Sequence, residues 1–253
     1  MKTKKKNKKK GQVVKNKKRI KAIKWIILVI LILGALSLVL LSDLFNIKEI
    51  VVLNNNKITK DEIIYLSGLK INENMFKFLK LQAEEQIKQN PYIASATIHR
   101  KINGKIEIEV KERVATYLLQ MEEEYAYINN QGYILEKNTE KLELPTVTGY
   151  ITENIEPGNR LEVEDLKKLN TVIQIVKSAG EKNLASKISN IDITSDTDFI
   201  VSMNSENKKI HFGDASNIND KILRLESVLA DTVEQKGEIF VKDINKVYFR
   251  SEV

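Results

Sequence analysis

The chain contains no cysteine, which excludes disulfides, thiolate metal sites and thiol nucleophiles together. Proline occurs three times and glycine ten times in 253 residues, and no Ser/Gly-rich spacer separates one part from another. Any two domains therefore abut. His99 and His211 are the only histidines, and neither stands in a metal-ligand spacing. Each reads as a strand-surface residue. A Gly-rich phosphate loop, a nucleophile elbow and a Ser-x-x-Lys motif are also missing, as is any internal repeat. Reaction chemistry has little footing here, and no cofactor, metal or small-molecule substrate is expected.

Acidic residues are missing from the first 24 positions, which hold twelve Lys and Arg19. These are 13 of the 41 basic residues, so 28 basic residues stand against 34 acidic ones in the remainder, a net of −6. The basic character belongs to a tail and not to a domain. Lysine runs such as Lys4 to Lys6 and Lys8 to Lys10 could grip nucleic-acid phosphates, but their position just before an apolar segment favours topology control and anionic lipid headgroups. No nucleic acid is expected as partner. With so few apolar residues to bury, the tail (1–24) is expected to be disordered.

The long hydrophobic run is Trp25 to Leu41, uncharged and interrupted only by Gly34 and Ser37. Seventeen helical residues span roughly 25 Å, and flanking residues can supply the last turn needed to cross a bilayer. The expected anchor is 25–44. The positive-inside tendency keeps the N-terminus in the cytoplasm and places everything after about Ser42 outside the cell membrane. A cleaved secretory signal has the same basic-then-apolar order. Against it, the apolar run is long and Leu40, Leu41 and Ser42 form no small-x-small cleavage site.

Beyond the anchor, Ile47 to Leu53 reads as a strand ended by Asn54, Asn55 and Asn56. Thr59-Lys60-Asp61-Glu62 has capping-box spacing and starts a two-turn helix that stops at Gly68. A second helix falls around Leu81 to Gln89 and closes at Asn90-Pro91. Tyr92 to Arg100 and Lys105 to Lys111 read as strands joined at Asn103-Gly104, with Ile106, Ile108 and Val110 on one face. This order of β-α-α-β-β, directly after an anchor, resembles a POTRA domain. The segments Ile47 to Val52, Thr59 to Ile63, Asn74-Met75-Phe76, Asn90 to Ile93 and Ile106 to Arg113 resemble the version carried by the FtsQ/DivIB family of bacterial cell-division proteins. Two positions depart from that family's pattern. Asn55 stands where a turn Gly is usual and Val114 where a Pro is usual.

From Ala115 onward, strands are expected at Ala115 to Met121, Tyr125 to Ile128, Tyr133 to Glu136 and Leu142 to Val147, the last at an edge or bulge because of Pro145. Val163, Leu166, Leu169, Ile173 and Val176 mark a helix ended by Gly180, and Ile218, Ile222, Leu225 and Leu229 a second one stopped at Gly237. Between them, Ile188 to Ile193, Phe199 to Met203 and Lys208 to Phe212 read as strands, and Glu238 to Asp243 and Lys246 to Phe249 close the chain. The Gly132 turn, Lys209 to Gly213 and Gly237 to Asp243 make this part similar to the β domain of the same family. The expected fold class is therefore α+β, with a single transmembrane helix, a POTRA domain at 46–114 and a mixed α/β domain at 115–253.

The resemblance implies a single-pass, non-enzymatic scaffold of the division septum, supporting septal peptidoglycan synthesis. Its implied partners are the bitopic division proteins FtsL and DivIC (FtsB), bound by strand addition near the end of the β domain. Carried onto this chain, the implied contact residues are Ile239, Phe240, Val241, Val247, Tyr248, Phe249 and Arg250. Two rival readings remain at this level. One is a tethered cell-wall enzyme using Asp192, Asp196 and Asp198 with Ser195, although no Gly or bidentate Glu completes a cation loop there. The other is an exported sensor unrelated to division. Glu122 to Glu124 read as a solvated loop.

Overall fold

The computed structural model describes residues 3–233 and 235–252, and side chains from Lys21 onward except Ala22. Helix α1 (Thr3–Leu41) comes first. Its stretch Ile23–Leu41 is long and apolar enough to cross a membrane and is entirely unburied by the rest of the protein. Nineteen such residues span roughly 28 Å. Lys4 to Lys6 and Lys8 to Lys10 have their expected headgroup contacts outside the described side chains. Where the sequence reading expects a disordered tail, the backbone is helical from Thr3. Lysine is a good helix former, and an apolar helix already nucleated in the anchor propagates backward at little cost.

The chain divides into two compact units, Met1–Ile87 with Ser95–Val110, and Lys88–Ala94 with Lys111–Val253. In the first unit, β1 (Glu49–Leu53) pairs in parallel with β3 (Lys105–Glu112), which also pairs with β2 (Ile93–Arg100). Helices α2 (Lys60–Ser67) and α3 (Lys80–Ile87) complete the β-α-α-β-β order. Thr59 caps α2 by accepting from the Glu62 amide, and Gly68 ends it in the left-handed conformation. Ile106, Ile108 and Val110 are buried as their alternation requires. After β1 it is Asn54, not Asn55, that takes positive φ (65°) and serves where a glycine would.

The second unit is built on one nine-stranded sheet. Its strands are β4 (Tyr117–Gln120), β5 (Tyr125–Ile128), β6 (Ile134–Asn138), β7 (Thr146–Thr148), β8 (Asn190–Asp192), β9 (Ile200–Met203), β10 (Lys208–His211), β11 (Gly237–Phe240) and β12 (Tyr248–Ser251). They lie in the order β12-β11-β10-β9-β8-β7-β4-β5-β6. Helices α4 (Val163–Glu181) and α5 (Ile218–Asp231) cover one face, where Leu169, Val172, Ile175, Ile222 and Leu225 join Ile191, Val201, Ile210 and Ile239 in the core. Val163, expected on that apolar face, is exposed. The start of α4 is held instead by Asp165, fully buried, which accepts from the amides of Ile151 and Thr152 and from the Thr152 hydroxyl. A buried carboxylate is tolerated because both of its oxygens meet donors.

Two boundary expectations are corrected. Pro145 does not mark an edge, because β7 begins one residue later and lies inside the sheet between β8 and β4. Preceding the strand, its missing N–H costs no ladder bond, while its carbonyl accepts from Leu118. Gly237 does not stop α5, which ends at Asp231 with Thr232 bonding back to the Val228 carbonyl. Instead it opens β11.

Candidate partner-binding edge

The sheet leaves one end strand at the C-terminus, β12, hydrogen-bonded on one side to β11. The register fixes which side chains share a face. His211, Phe240 and Tyr248 are cross-strand neighbours, as are Lys209, Glu238 and Arg250, while Ile210, Ile239 and Phe249 occupy the opposite face. Because alternate residues point to opposite faces, the third set turns into the core and the first two turn outward.

The outward sets form two short ladders. The rings of His211 and Phe240 stack with centroids 4.5 Å apart, and those of Phe240 and Tyr248 at 4.7 Å. Beside them, Glu238 pairs with the Arg250 guanidinium, which also sits 5.1 Å from the Phe240 ring centroid. The hydrogen bond from Arg250 holds the Glu238 carboxyl below its usual range. Behind the stack, His211 Nδ1 lies 2.9 Å from Asp198 Oδ2, and Lys242 Nζ lies 2.6 Å from the same oxygen. Asp198 also accepts from the Gly213 amide. Burial alone would raise the Asp198 carboxyl, but the bonds from His211, Lys242 and Gly213 outweigh it and keep it low.

The structure sorts the seven residues that the family resemblance implies into three groups. Ile239 and Val241 are fully buried, so their side chains seal the core and cannot touch a partner. Val247 and Phe249 are partly exposed and pack against that core from its margin. Phe240, Tyr248 and Arg250 make up the outward group, with Tyr248 48% exposed. Sequence reading missed the support beneath them, Asp198, His211, Glu238 and Lys242. The signal was thin: only the in-register pairing of β10 and β11 brings His211 to Phe240.

The three aspartates of the enzyme reading do not converge. Asp192 accepts from the Thr194 amide and hydroxyl in a local turn. Asp196 pairs with Lys168 at 3.4 Å, and Asp198 belongs to the histidine cluster. Among the described residues no group of three or more acidic or histidine side chains could hold a metal ion.

These features define a class: a protein with a membrane-anchor-like helix, a POTRA domain and a large mixed sheet whose terminal strand is open. A family model for the FtsQ-type POTRA domain matches residues 45–113, and one described as FtsQ/DivIB, C-terminal related, matches residues 113–253. The chain belongs to the FtsQ/DivIB family. A cell division protein DivIB of Clostridium tetani is 28% identical over 195 residues, covering 76% of this chain and 73% of that protein. A cell division protein DivIB of Clostridium botulinum is 33% identical over 157 residues, 61% of this chain and 60% of that protein. A cell division protein FtsQ of Syntrophotalea carbinolica is 29% identical over 130 residues, 50% and 45% respectively.

Proposed function

We propose that the protein is a single-pass scaffold of the bacterial division septum that captures other bitopic division proteins by adding a strand of theirs to β12. The supporting observation is the open position of β12 at the end of the nine-stranded sheet. An open edge offers unpaired N–H and C=O groups, and an incoming segment gains main-chain bonds there. The ladders give that segment its chemistry. A residue placed beside Tyr248 continues an aromatic stack and is apolar or aromatic, while one beside Arg250 continues a row that alternates in charge and is acidic. In this reading the N-terminus lies in the cytoplasm, both folded units lie outside, and the partners are FtsL- and DivIC-like proteins. Catalysis has no part in it, and septal peptidoglycan synthesis is supported through assembly alone.

The register also predicts which backbone groups do the binding. The Glu252 amide bonds to the Lys236 carbonyl, so in this antiparallel pair the amides of Arg250 and Tyr248 also face β11, and those of Phe249 and Ser251 face outward. Ser251→Pro therefore removes an outward donor and leaves the internal ladder intact. Pull-down from membranes with full-length protein should show FtsL- and DivIC-like partners captured by wild type, lost on deletion of residues 246–253, and reduced about tenfold or more by Ser251→Pro, the equivalent of about 1.4 kcal/mol. Full capture by the folded deletion variant would sink the proposal.

A further inference from the structure

The first unit carries apolar side chains that its own core does not use. Leu44 is 77% exposed, Phe76 45%, Leu79 70% and Ile102 93%. Single exposed hydrophobic residues are ordinary on protein surfaces. What distinguishes these is where the chain ties them.

The segment before α3 is fastened to the last turn of α1. The buried Asn74 donates from Nδ2 to the Val39 carbonyl at 2.9 Å and to the Ser42 carbonyl at 3.3 Å. The Val39 carbonyl belongs to the last turn of the helix, where intrahelical donors run out, and the Ser42 carbonyl, already bonded to the Phe45 amide, takes a second donor. Val39 lies within the membrane-compatible stretch, so Asn74 reaches back to the level of the anchor itself. The Met75 amide donates to the Phe45 carbonyl at 2.9 Å, and the rings of Phe45 and Phe76 meet edge-on at 5.4 Å. Leu79 follows three residues later.

The hairpin between β2 and β3 is tied to the same place. The Lys48 and Glu49 amides both donate to the Gly104 carbonyl, at 2.7 and 3.3 Å. Asn103 and Gly104 take positive φ, 78° and 81°, which turns the chain sharply and leaves Ile102 at its tip. A Cβ on Gly104 would meet the Asn46 carbonyl at 2.6 Å, so the tip packs directly beside a residue five positions past the anchor. Allowing for the short 3-10 turn at Asp43–Phe45, that separation is on the order of 10–15 Å.

Cations surround these residues. Lys48 and Lys77 are exposed, and the Arg100 guanidinium lies 4.3 Å from the Phe78 ring centroid while donating to the carbonyls of Met75 and Phe78. Lys101 and Lys105 share the single carboxylate of Glu107, at 2.8 and 3.4 Å. Asp43, Glu49, Glu73 and that Glu107 are the opposing charges. Apolar tips ringed by lysine and arginine are the composition that binds an anionic bilayer interface.

We propose that the anchor-proximal end of the first unit docks on the lipid surface from which α1 emerges, with Leu44, Phe76, Leu79 and Ile102 entering the boundary between headgroups and acyl chains. This rests on reading α1 as an uncleaved anchor. It makes the POTRA domain a lipid-seated base, held by three separate points in addition to the helix.

The absence of native cysteine makes a direct test clean. Full-length Leu44→Cys, Phe76→Cys, Leu79→Cys and Ile102→Cys are each labelled with an environment-sensitive fluorophore and reconstituted alone into nanodiscs of phosphatidylcholine and phosphatidylglycerol. Leu33→Cys reports on the span, and Leu53→Cys, at the other end of β1 and also partly exposed, is the aqueous reference. Spin-labelled lipid should quench the four sites and Leu33, with Leu53 keeping its emission. Quenching at Leu33 alone would overturn the docking while leaving the anchor intact. No quenching at Leu33 would overturn the anchor reading, and the docking with it. Since no other protein is present, quenching at the four sites cannot come from a partner subunit.

Discussion

Asp198 shows how much a single carboxylate organises beside the terminal strands of the sheet. It holds His211 through Nδ1, takes the Lys242 ammonium, and accepts the Gly213 amide, so one side chain fixes the last turn before α5 and the floor of the aromatic stack. Its folded carboxyl lies below the ordinary 3.8, as does that of Glu238 below 4.5, and hydrogen bonds from Ser216 and then Lys221 pull Asp214 down to about 2. A carboxylate lowered on folding contributes stability that is complete above its unfolded pKa and is lost as pH falls through its folded one. The melting temperature should therefore be level near neutrality and decline from about pH 4.5 toward pH 2. Asp198→Asn is expected to cost about 1–3 kcal/mol at neutral pH and to show a shallower acid decline, measured by thermal melts across that range. An unchanged acid decline would separate Asp198 from the effect. Lys221, almost wholly buried, has its ammonium on the Asp214 carbonyl and carboxylate, which explains how a lysine sits inside the apolar face of α5.

At the scale of elements, the position of β12 depends on Gly237. Its Cα lies opposite Ser251, and a Cβ there would meet the Arg250 carbonyl at 2.2 Å and the Phe249 ring at 2.8 Å. Backbone and a packed ring cannot give way as a flexible side-chain tip can. Gly237→Ala should therefore push β12 off β11, costing about 1–3 kcal/mol. Limited proteolysis would detect it as faster cleavage after residue 246 with the remaining sheet protected, and partner capture would fall with it. Protection equal to wild type would mean that the edge is held some other way. The capping of α2 by Thr59 and Gly68, the Asn103-Gly104 turn and the buried face of α5 were all legible in advance, because each depends on residues within a few positions of one another. The inner placement of β7 and the freedom of Gly237 from helix-stopping were not legible, since both depend on strands far away in sequence.

For the whole molecule, α1 governs behaviour before any partner is met. None of its apolar residues from Ile23 to Leu41 is buried, with Trp25 68% and Leu41 78% exposed. Sixteen apolar side chains in water would be prohibitive, and a bilayer removes that cost. The Ser37 hydroxyl donates to the Leu33 carbonyl at 2.8 Å, so even the one polar side chain between Trp25 and Leu41 is satisfied within the helix. Full-length protein should stay in the membrane fraction through an alkaline carbonate wash, and deletion of residues 23–41 should move it to the supernatant. A wild-type chain recovered in the wash, with its N-terminus near Asp43, would show that the segment is removed.

The sequence by itself determined the charge division, the apolar run, the order of elements in the POTRA domain and the two helices of the sheet domain. These rest on composition and on periodicity, which a chain carries locally whatever it later pairs with. Only the tertiary structure decided that β12 ends a nine-stranded sheet, that Ile239 and Val241 face the core while Tyr248 and Arg250 face out, and that Asp198 meets His211. Strand alternation tells that neighbours face opposite ways but not which way is in, and that choice is made when distant strands pair and α4 and α5 cover one side.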